Sequence, residues 1–195
     1  QRSLQNIALA YLMRSERPQV LAACLEQYRN CDNMTERLAA LAVLVNSPFE
    51  TEKAETLAHF AEMFKGNALV MDQWFSVQAA SSLAGGFERV QVLMEHPAFT
   101  LKNPNKVRAV VGAFAGQNLV NFHRIDGAGY RFLADLVITL NGFNPQIASR
   151  QLGPLTRWRK YDATRQQLMR AELQRILACG ELSSDVYEVV SKSLA

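Results

Sequence analysis

The sequence lacks the residue patterns of disulfide-rich, membrane-spanning and secreted proteins. Its three cysteines, Cys24, Cys31 and Cys179, form no C-x-x-C pair, and an odd number argues against a disulfide framework. No run approaches the ~20 apolar residues that cross a bilayer, and the first residues, QRSLQNIALAYLMRSE, have the pattern of an amphipathic helix rather than of a signal peptide. We therefore predict a protein of the reducing cytoplasm, with no membrane partner and with cysteines that act as small hydrophobic groups.

Metal-binding and nucleophilic motifs are absent as well. The three histidines, His59, His96 and His123, do not show the H-E-x-x-H spacing of a zinc hydrolase, and no G-x-S-x-G or G-x-x-x-x-G-K-[ST] segment occurs. We assign this chain no catalytic residue, no metal ligand and no cofactor of its own. His123 beside Arg124 and Asp126 is a pattern seen in acid–base chemistry. Since no nucleophile lies nearby in the sequence, we predict instead that His123 and Asp126 cap adjacent helix ends.

What the sequence does contain is helical periodicity along almost its whole length, as in the set Leu38, Leu41, Ala42 and Val45. No convincing alternating strand is present, and glycine or proline breaks fall at short intervals. The pattern predicts an all-α fold of about eleven helices. A chain of 195 residues with 49% hydrophobic content can bury one core. We therefore predict a single domain over residues 1–195, an irregular superhelix of stacked antiparallel helix pairs similar to HEAT or armadillo repeats.

Two helix starts carry the same Asn-Pro signal, at Asn103-Pro104 and Asn144-Pro145. The asparagine side chain can accept a hydrogen bond from a first-turn N–H, and proline at the first helical position lacks an N–H that would be unpaired anyway. Ser47-Pro48-Phe49-Glu50 predicts another start, with Ser47 as the cap and Glu50 bonding back to it.

Each Asn-Pro helix carries an arginine in its second turn, Arg108 in one and Arg150 in the other. Two helices of adjacent repeats can direct these side chains into one concavity, where paired guanidiniums bind a carboxylate through parallel N–H donors. Arg108 and Arg150 are therefore our candidates for binding the C-terminus or a main-chain carbonyl of a peptide. The alternative reading of the spacing is that both form surface or structural salt bridges.

The two halves of the chain carry opposite net charge. Residues 1–100 hold 8 Lys+Arg against 11 Asp+Glu, and residues 101–195 hold 13 against 7, so the halves are −3 and +6. A basic half can meet nucleic acid or an acidic ligand, or it can be a solvated face complementary to a neighbouring domain. Residues 157–161, RWRKY, mix basic and aromatic side chains that can stack nucleotides, although a snorkelling helix end has the same composition.

Several long strings resemble the C-terminal region of the bacterial aminopeptidase N family. They are NPNKVRAVVGAFAGQN, FHRIDGAGYRFLADLVITLNGFNPQIASR, LTRWRKYDATRQQLMRAEL and the terminal LSSDVYEVVSKSLA. The resemblance covers nearly the whole chain, and only the stretch from Ser47 to Phe64 matches mainly in pattern.

The resemblance implies a four-domain zinc metallopeptidase of the gluzincin class, whose thermolysin-like domain carries the H-E-x-x-H helix, the zinc and the G-x-M-E-N loop. This chain resembles the all-helical last domain, which closes over the catalytic domain and limits entry to peptides and small substrates. Arg108 and Arg150 fall where the family places arginines facing that chamber. The implied partners are a peptide substrate and the catalytic domain of the same polypeptide, in a cytoplasmic monomer without nucleic acid.

The chain starts at Gln1 without an initiator methionine, so we interpret it as a fragment of such an enzyme, inactive alone. The alternative hypothesis is an independent helical-repeat module that binds protein or nucleic acid through its basic half.

Overall fold

The computed structural model describes residues 2–195, and all regular structure in this range is helical. Gln1, the first residue of the predicted amphipathic start, lies outside the described residues. With the continuous helix of residues 104–117 counted once, the described range holds 13 helices, of which 11 are long. The predicted all-α class and helix number are confirmed. The chain divides into two compact units, one ending at Leu83 and the other running from Ala84 to Ala195. The single domain over residues 1–195 stays a prediction.

The first unit is built around its third helix. Its elements are α1 (Arg2–Met13), α2 (Pro18–Asn30), α3 (Met34–Val45), α4 (Glu50–Phe64) and α5 (Ala68–Ala79). Helix α3 packs against the other four helices. Its apolar side chains Leu41 and Leu44 are completely buried. Its start is fixed by Asn33, whose side chain accepts a hydrogen bond of 3.0 Å from Glu36 N.

The second unit is centred on its longest apolar helix. Its elements are α6 (Gly86–Glu95), α7 (Pro104–Val107), a π-helical segment (Arg108–Gly112), α8 (Ala113–Gln117), α9 (Leu119–Phe122), α10 (Ala128–Asn141), α11 (Pro145–Gln151), α12 (Gly153–Thr156), a 3₁₀ turn (Trp158–Lys160), α13 (Ala163–Leu177) and α14 (Ser184–Leu194). Helix α10 packs against α11 and α13, and α14 packs against the same two helices. Phe114, Phe122 and Tyr130 form edge-to-face ring pairs with centroids 5.7 and 5.4 Å apart.

The helix start predicted at Ser47 is wrong by two residues. Helix α4 begins at Glu50 after Phe49, and no side chain caps it. The Ser47 hydroxyl instead donates to Leu44 O at 2.7 Å and accepts from Phe49 N at 3.4 Å. Glu50 forms an ion pair of 2.6 Å with Lys53 rather than bonding back to Ser47. The hydroxyl therefore closes the end of α3 and is not available to start α4.

A tight turn brings α9 and α10 into direct backbone contact. Gly127 takes a left-handed conformation with φ of 69°, and Asp126 Oδ1 accepts a hydrogen bond of 3.0 Å from Ala128 N. Gly129 then lies so close to α9 that a β-carbon there would come within 2.3 Å of Phe122 O. Only glycine fits this approach.

We expect Gly129→Ala to destabilise the protein by about 1–3 kcal/mol, because the added methyl group meets backbone that cannot move aside. Gly116→Ala is the matched control, since Gly116 lies in α8 and a β-carbon at this position would meet nothing within 4 Å. Alanine there should be neutral or stabilising by up to ~1 kcal/mol. Urea unfolding of both variants checks this, and equal unfolding midpoints would show that α9 and α10 do not approach so closely.

Candidate functional site

Both Asn-Pro helix starts are confirmed. Asn103 Oδ1 accepts a hydrogen bond of 2.9 Å from Asn105 N, and the proline that follows Asn103 is the first residue of α7. Asn144 Oδ1 accepts a hydrogen bond of 3.3 Å from Ile147 N, and the following proline opens α11. These bonds satisfy N–H groups that the helices themselves leave unpaired. The first turns that precede Arg108 and Arg150 are therefore fixed in the folded chain.

Arg108 opens a π-helical segment inside the helix of residues 104–117. At its far end, Ala113 N donates to Arg108 O, five residues earlier. The Arg108 side chain is held by its own helix, because Nη2 donates to Asn105 Oδ1 at 3.1 Å. Short π segments in helices are rare and occur frequently at functional sites. The π-helical segment therefore begins at Arg108, the residue that the sequence marks as a binding candidate.

Arg108 and Arg150 line the same cleft in the second unit, and Arg157 joins them. The cleft has a volume of about 430 Å³. Its other lining residues are mainly small or rigid: Pro104, Gly112, Gly116, Ile147, Gln151, Gly153 and Pro154. Glycines in the walls leave room for an extended peptide backbone to lie close to the helices. The geometry therefore brings both predicted residues together and adds a third guanidinium.

Sequence reasoning missed Arg157 as a cleft residue, although a usable signal was present. Pro154 lies in the first turn of α12, and Arg157 follows three residues later. Arg108 likewise follows a proline, Pro104, and both of these residues line the cleft. A search for proline-started helices followed by arginine would have found it.

The three guanidiniums of the cleft are not neutralised within the described chain. Among residues 2–195, no ion pair joins a carboxylate to Arg108, Arg150 or Arg157, and all three side chains are exposed. Arginine carries its charge at every physiological pH and presents five N–H donors in a planar fork. The cleft can therefore bind an anion from outside this chain without breaking an internal pair.

The prediction that His123 caps a helix end is confirmed, because His123 is the C-cap residue of α9 and its backbone N–H donates to Leu119 O at 3.1 Å. Its imidazole is buried between two phenols, with Nδ1 2.8 Å from Tyr130 Oη and Nε2 2.9 Å from Tyr161 Oη. Burial, together with the nearby charge of Arg165, holds the pKa of His123 below its usual value. Burial also raises the pKa of Tyr130 to about 12, so its hydroxyl keeps its proton. Both ring nitrogens are engaged, and the group has a structural role; the predicted cap by Asp126 is confirmed.

The basic and aromatic segment of residues 157–161 does not offer its indole to a ligand. Trp158 is buried, and its Nε1 donates to Ser193 O at 3.2 Å. Arg159 covers the ring at 4.3 Å and donates to the same carbonyl at 2.8 Å. Stacking of a nucleotide base requires an accessible ring face, so the Trp158 ring acts as packing, whereas Arg157 of the same segment lines the cleft.

No metal centre can be assembled from the described residues. Residues 2–195 contain no group of three or more His, Cys, Asp or Glu that could hold a metal ion. The three thiols are free, and Cys24 is buried with Sγ donating to Ala40 O at 3.4 Å. The resemblance implies zinc in the catalytic domain rather than in this chain, and the described residues offer no ligand set for it. Within the same range, no helix is long and apolar enough to cross a membrane.

The fold and the cleft together define a class: an all-helical repeat protein with a cleft lined by three arginines. A family model described as "Domain of unknown function (DUF3458_C) ARM repeats" matches residues 1–195. The chain belongs to this family. The description in terms of ARM repeats agrees with the helix-pair architecture predicted from the sequence.

Relatives with known names are bacterial aminopeptidases. The chain is 41% identical to aminopeptidase N of Escherichia coli over 100% of its own length, and 40% identical to aminopeptidase N of Haemophilus influenzae over 99%. It spans 22% of each relative. A crystal structure of Legionella pneumophila aminopeptidase A in complex with aspartic acid matches with a TM-score of 0.92 and 33% identity, covering 99% of this chain and 23% of that one. These matches confirm the resemblance to the C-terminal domain of aminopeptidase N.

We expect the free energy of unfolding to fall as the pH drops below about 6.5, the ordinary imidazole value. The folded pKa of His123 is lowered, so the unfolded state binds the proton first, and stability present above that pH is lost on acidification. His123→Gln removes the titrating group and should lose less stability than the parent between about pH 7.5 and about pH 5. Urea unfolding at the two pH values measures this. An unchanged pH dependence in the variant would assign the effect to other groups.

Proposed function

We propose that this chain is the C-terminal domain of a cytoplasmic, monomeric, zinc-dependent aminopeptidase that removes N-terminal residues from peptides. The family match over residues 1–195 and the aminopeptidase relatives support this proposal. The chain has the size of a little over a fifth of those relatives, so the catalytic machinery belongs to the rest of the polypeptide. The domain covers the active-site chamber of the enzyme and controls which substrates enter.

The observation that carries the role of this domain is the cleft with three guanidiniums that no carboxylate of the described chain neutralises. Arg108 and Arg150 bind the distal end of the peptide, its terminal carboxylate or a main-chain carbonyl, and Arg157 adds positive potential to the same cleft. Guanidinium groups suit a carboxylate because two parallel N–H donors meet its two oxygens. The cleft volume of about 430 Å³ is large enough for a short peptide end.

The contribution of this chain to the reaction is binding and orientation. Zinc, when bound in the remaining part of the enzyme, supplies the activated water, and no residue of this chain takes part in that step. The arginines attract the negatively charged end of a peptide. Once the distal end is held, the N-terminal end has fewer positions to explore, which lowers the entropic cost of reaching the reactive geometry.

Nucleic-acid binding is not favoured as a second function. The aromatic ring proposed to stack nucleotides, Trp158, is buried under Arg159. The relatives are peptidases, and no feature of the cleft favours a polynucleotide over a peptide carboxylate.

We expect Arg108→Ala or Arg150→Ala in the full-length enzyme to raise KM for tripeptides and longer peptides by about tenfold or more. The reason is that a hydrogen bond to a charged group contributes about 1.5–3 kcal/mol, and about 1.4 kcal/mol corresponds to a factor of ten. Single-residue amide reporters do not reach the cleft, so their KM should stay within about twofold. Steady-state kinetics with both substrate types measure the difference.

Two further variants sharpen this test. Arg150→Lys keeps the charge but loses the planar fork, and it should recover part of the affinity lost in Arg150→Ala. Arg29→Ala removes an exposed arginine from α2, outside the cleft, and should change neither KM. An equal effect of Arg108→Ala on peptides and reporters, or no effect on either, would refute the anchoring role.

A further inference from the structure

The cleft holds more positive charge than the C-terminus of one peptide neutralises. Arg108, Arg150 and Arg157 line it together, and none of its lining residues in the described chain is Asp or Glu. A carboxylate has two oxygens with about four lone-pair sites, and a bidentate arginine occupies two of them. Two arginines therefore saturate one terminal carboxylate. The third guanidinium keeps its charge and has no partner in such a complex.

Arg157 stands apart from Arg150 along the same wall of the cleft. A single residue, Leu152, joins α11 to α12, and its backbone angles are helical, with φ of −68° and ψ of −18°. Thr156 N donates to Leu152 O at 3.0 Å, so the helical path continues through the junction. Seven residues make about two helical turns, which places Arg157 on the side of Arg150 and roughly 10 Å further along. Arginines at this spacing can each hold a different carboxylate.

The guanidinium of Arg157 is available to a ligand. Within residues 2–195 its side chain makes no hydrogen bond and no ion pair, whereas Arg108 already donates to Asn105 Oδ1. The neighbouring Arg159 differs as well, because it lies 4.3 Å over the Trp158 ring. All five N–H donors of Arg157 therefore remain for a partner from outside the described chain.

The cleft also has room for a side chain beside the peptide end. A β-carbon at Gly116 or Gly153 would meet nothing within 4 Å, so open space lies over both glycines. Gly153 falls between Arg150 and Arg157 in the sequence, and Ile147 gives the wall apolar area for the methylene groups of a side chain. The volume of about 430 Å³ lies in the range of pockets that enclose small ligands. A C-terminal residue with an extended side chain therefore fits.

We propose that Arg157 is a specificity-determining residue that pairs with the side-chain carboxylate of an Asp or Glu at the C-terminal position of the peptide. The preferred substrates are then peptides that end in an acidic residue. This inference rests on the proposed function, since the terminal carboxylate must occupy Arg108 and Arg150. The charge balance supports it: one carboxylate leaves two of the three positive charges unpaired, and a second carboxylate leaves one.

The tripeptides Ala-Ala-Glu and Ala-Ala-Gln test this with the full-length enzyme, because their last side chains differ in charge but little in shape. The parent enzyme should show kcat/KM about fivefold higher for the peptide ending in Glu, as expected of one exposed ion pair. Arg157→Gln should bring the ratio close to one, and Arg157→Lys should retain part of the preference because it keeps the charge. The difference should lie in KM, since the pair forms on binding.

Lys160→Gln is the matched control. Lys160 is exposed and does not line the cleft, so this variant removes the same charge three residues further along. It should keep the preference for Glu. Equal loss of the preference in Lys160→Gln and Arg157→Gln would overturn the inference, because general positive potential and not a specific pair would then set the preference.

Ala-Ala-Gln with an amidated C-terminus separates this inference from the proposed function. Amidation removes the carboxylate assigned to Arg108 and Arg150 and leaves the side chain unchanged. If amidation slows hydrolysis but the Glu and Gln peptides react equally, the anchoring role stands and the pairing by Arg157 is refuted. A preference for Glu that survives in Arg157→Gln refutes the pairing as well. If amidation has no effect on the parent enzyme, the anchoring role fails and this inference fails with it.

Discussion

The asparagine and proline at a helix start are the constraint on which the cleft depends. The side chains of Asn103 and Asn144 accept hydrogen bonds from first-turn N–H groups, and the prolines that follow fix the backbone for helix entry. With the starts fixed, Arg108 and Arg150 leave their helices at defined positions. Behind them, α11 packs on α10, whose Val137 and Leu140 are completely buried. The proposed binding groups therefore stand on rigid elements, which is what a site that must orient a ligand requires.

The charged residues of the cleft are not the residues that stabilise the fold. Three guanidiniums line one concavity, and no carboxylate of residues 2–195 pairs with them. Like charges in one place repel one another and contribute nothing to packing. Folding is secured elsewhere, by the Phe114, Phe122 and Tyr130 rings and by the hydroxyl bonds of His123. An anion bound in the cleft would relieve the repulsion, so the distribution of charge agrees with a binding role.

Local signals made much of the fold predictable, and tertiary contacts account for what was missed. Helical periodicity gave the class and number of helices, and the two Asn-Pro starts were right because capping is a local interaction. Ser47 had the same local signal, but its hydroxyl was taken by Leu44 O at the end of the preceding helix. The two tyrosines that hold His123 come from positions 7 and 38 residues away. No local pattern contains such pairings.

We propose that the arginines of the cleft hold the carboxylate end of a peptide. The most direct test of this compares a tripeptide with a free C-terminus and the same tripeptide amidated, each with the full-length enzyme and with its Arg150→Ala variant. Amidation should lower kcat/KM of the parent enzyme by about tenfold. It should have little effect on the variant, because the partner of the carboxylate is already absent there. An equal decrease of kcat/KM in both enzymes would contradict this, because it would show that Arg150 does not bind the carboxylate.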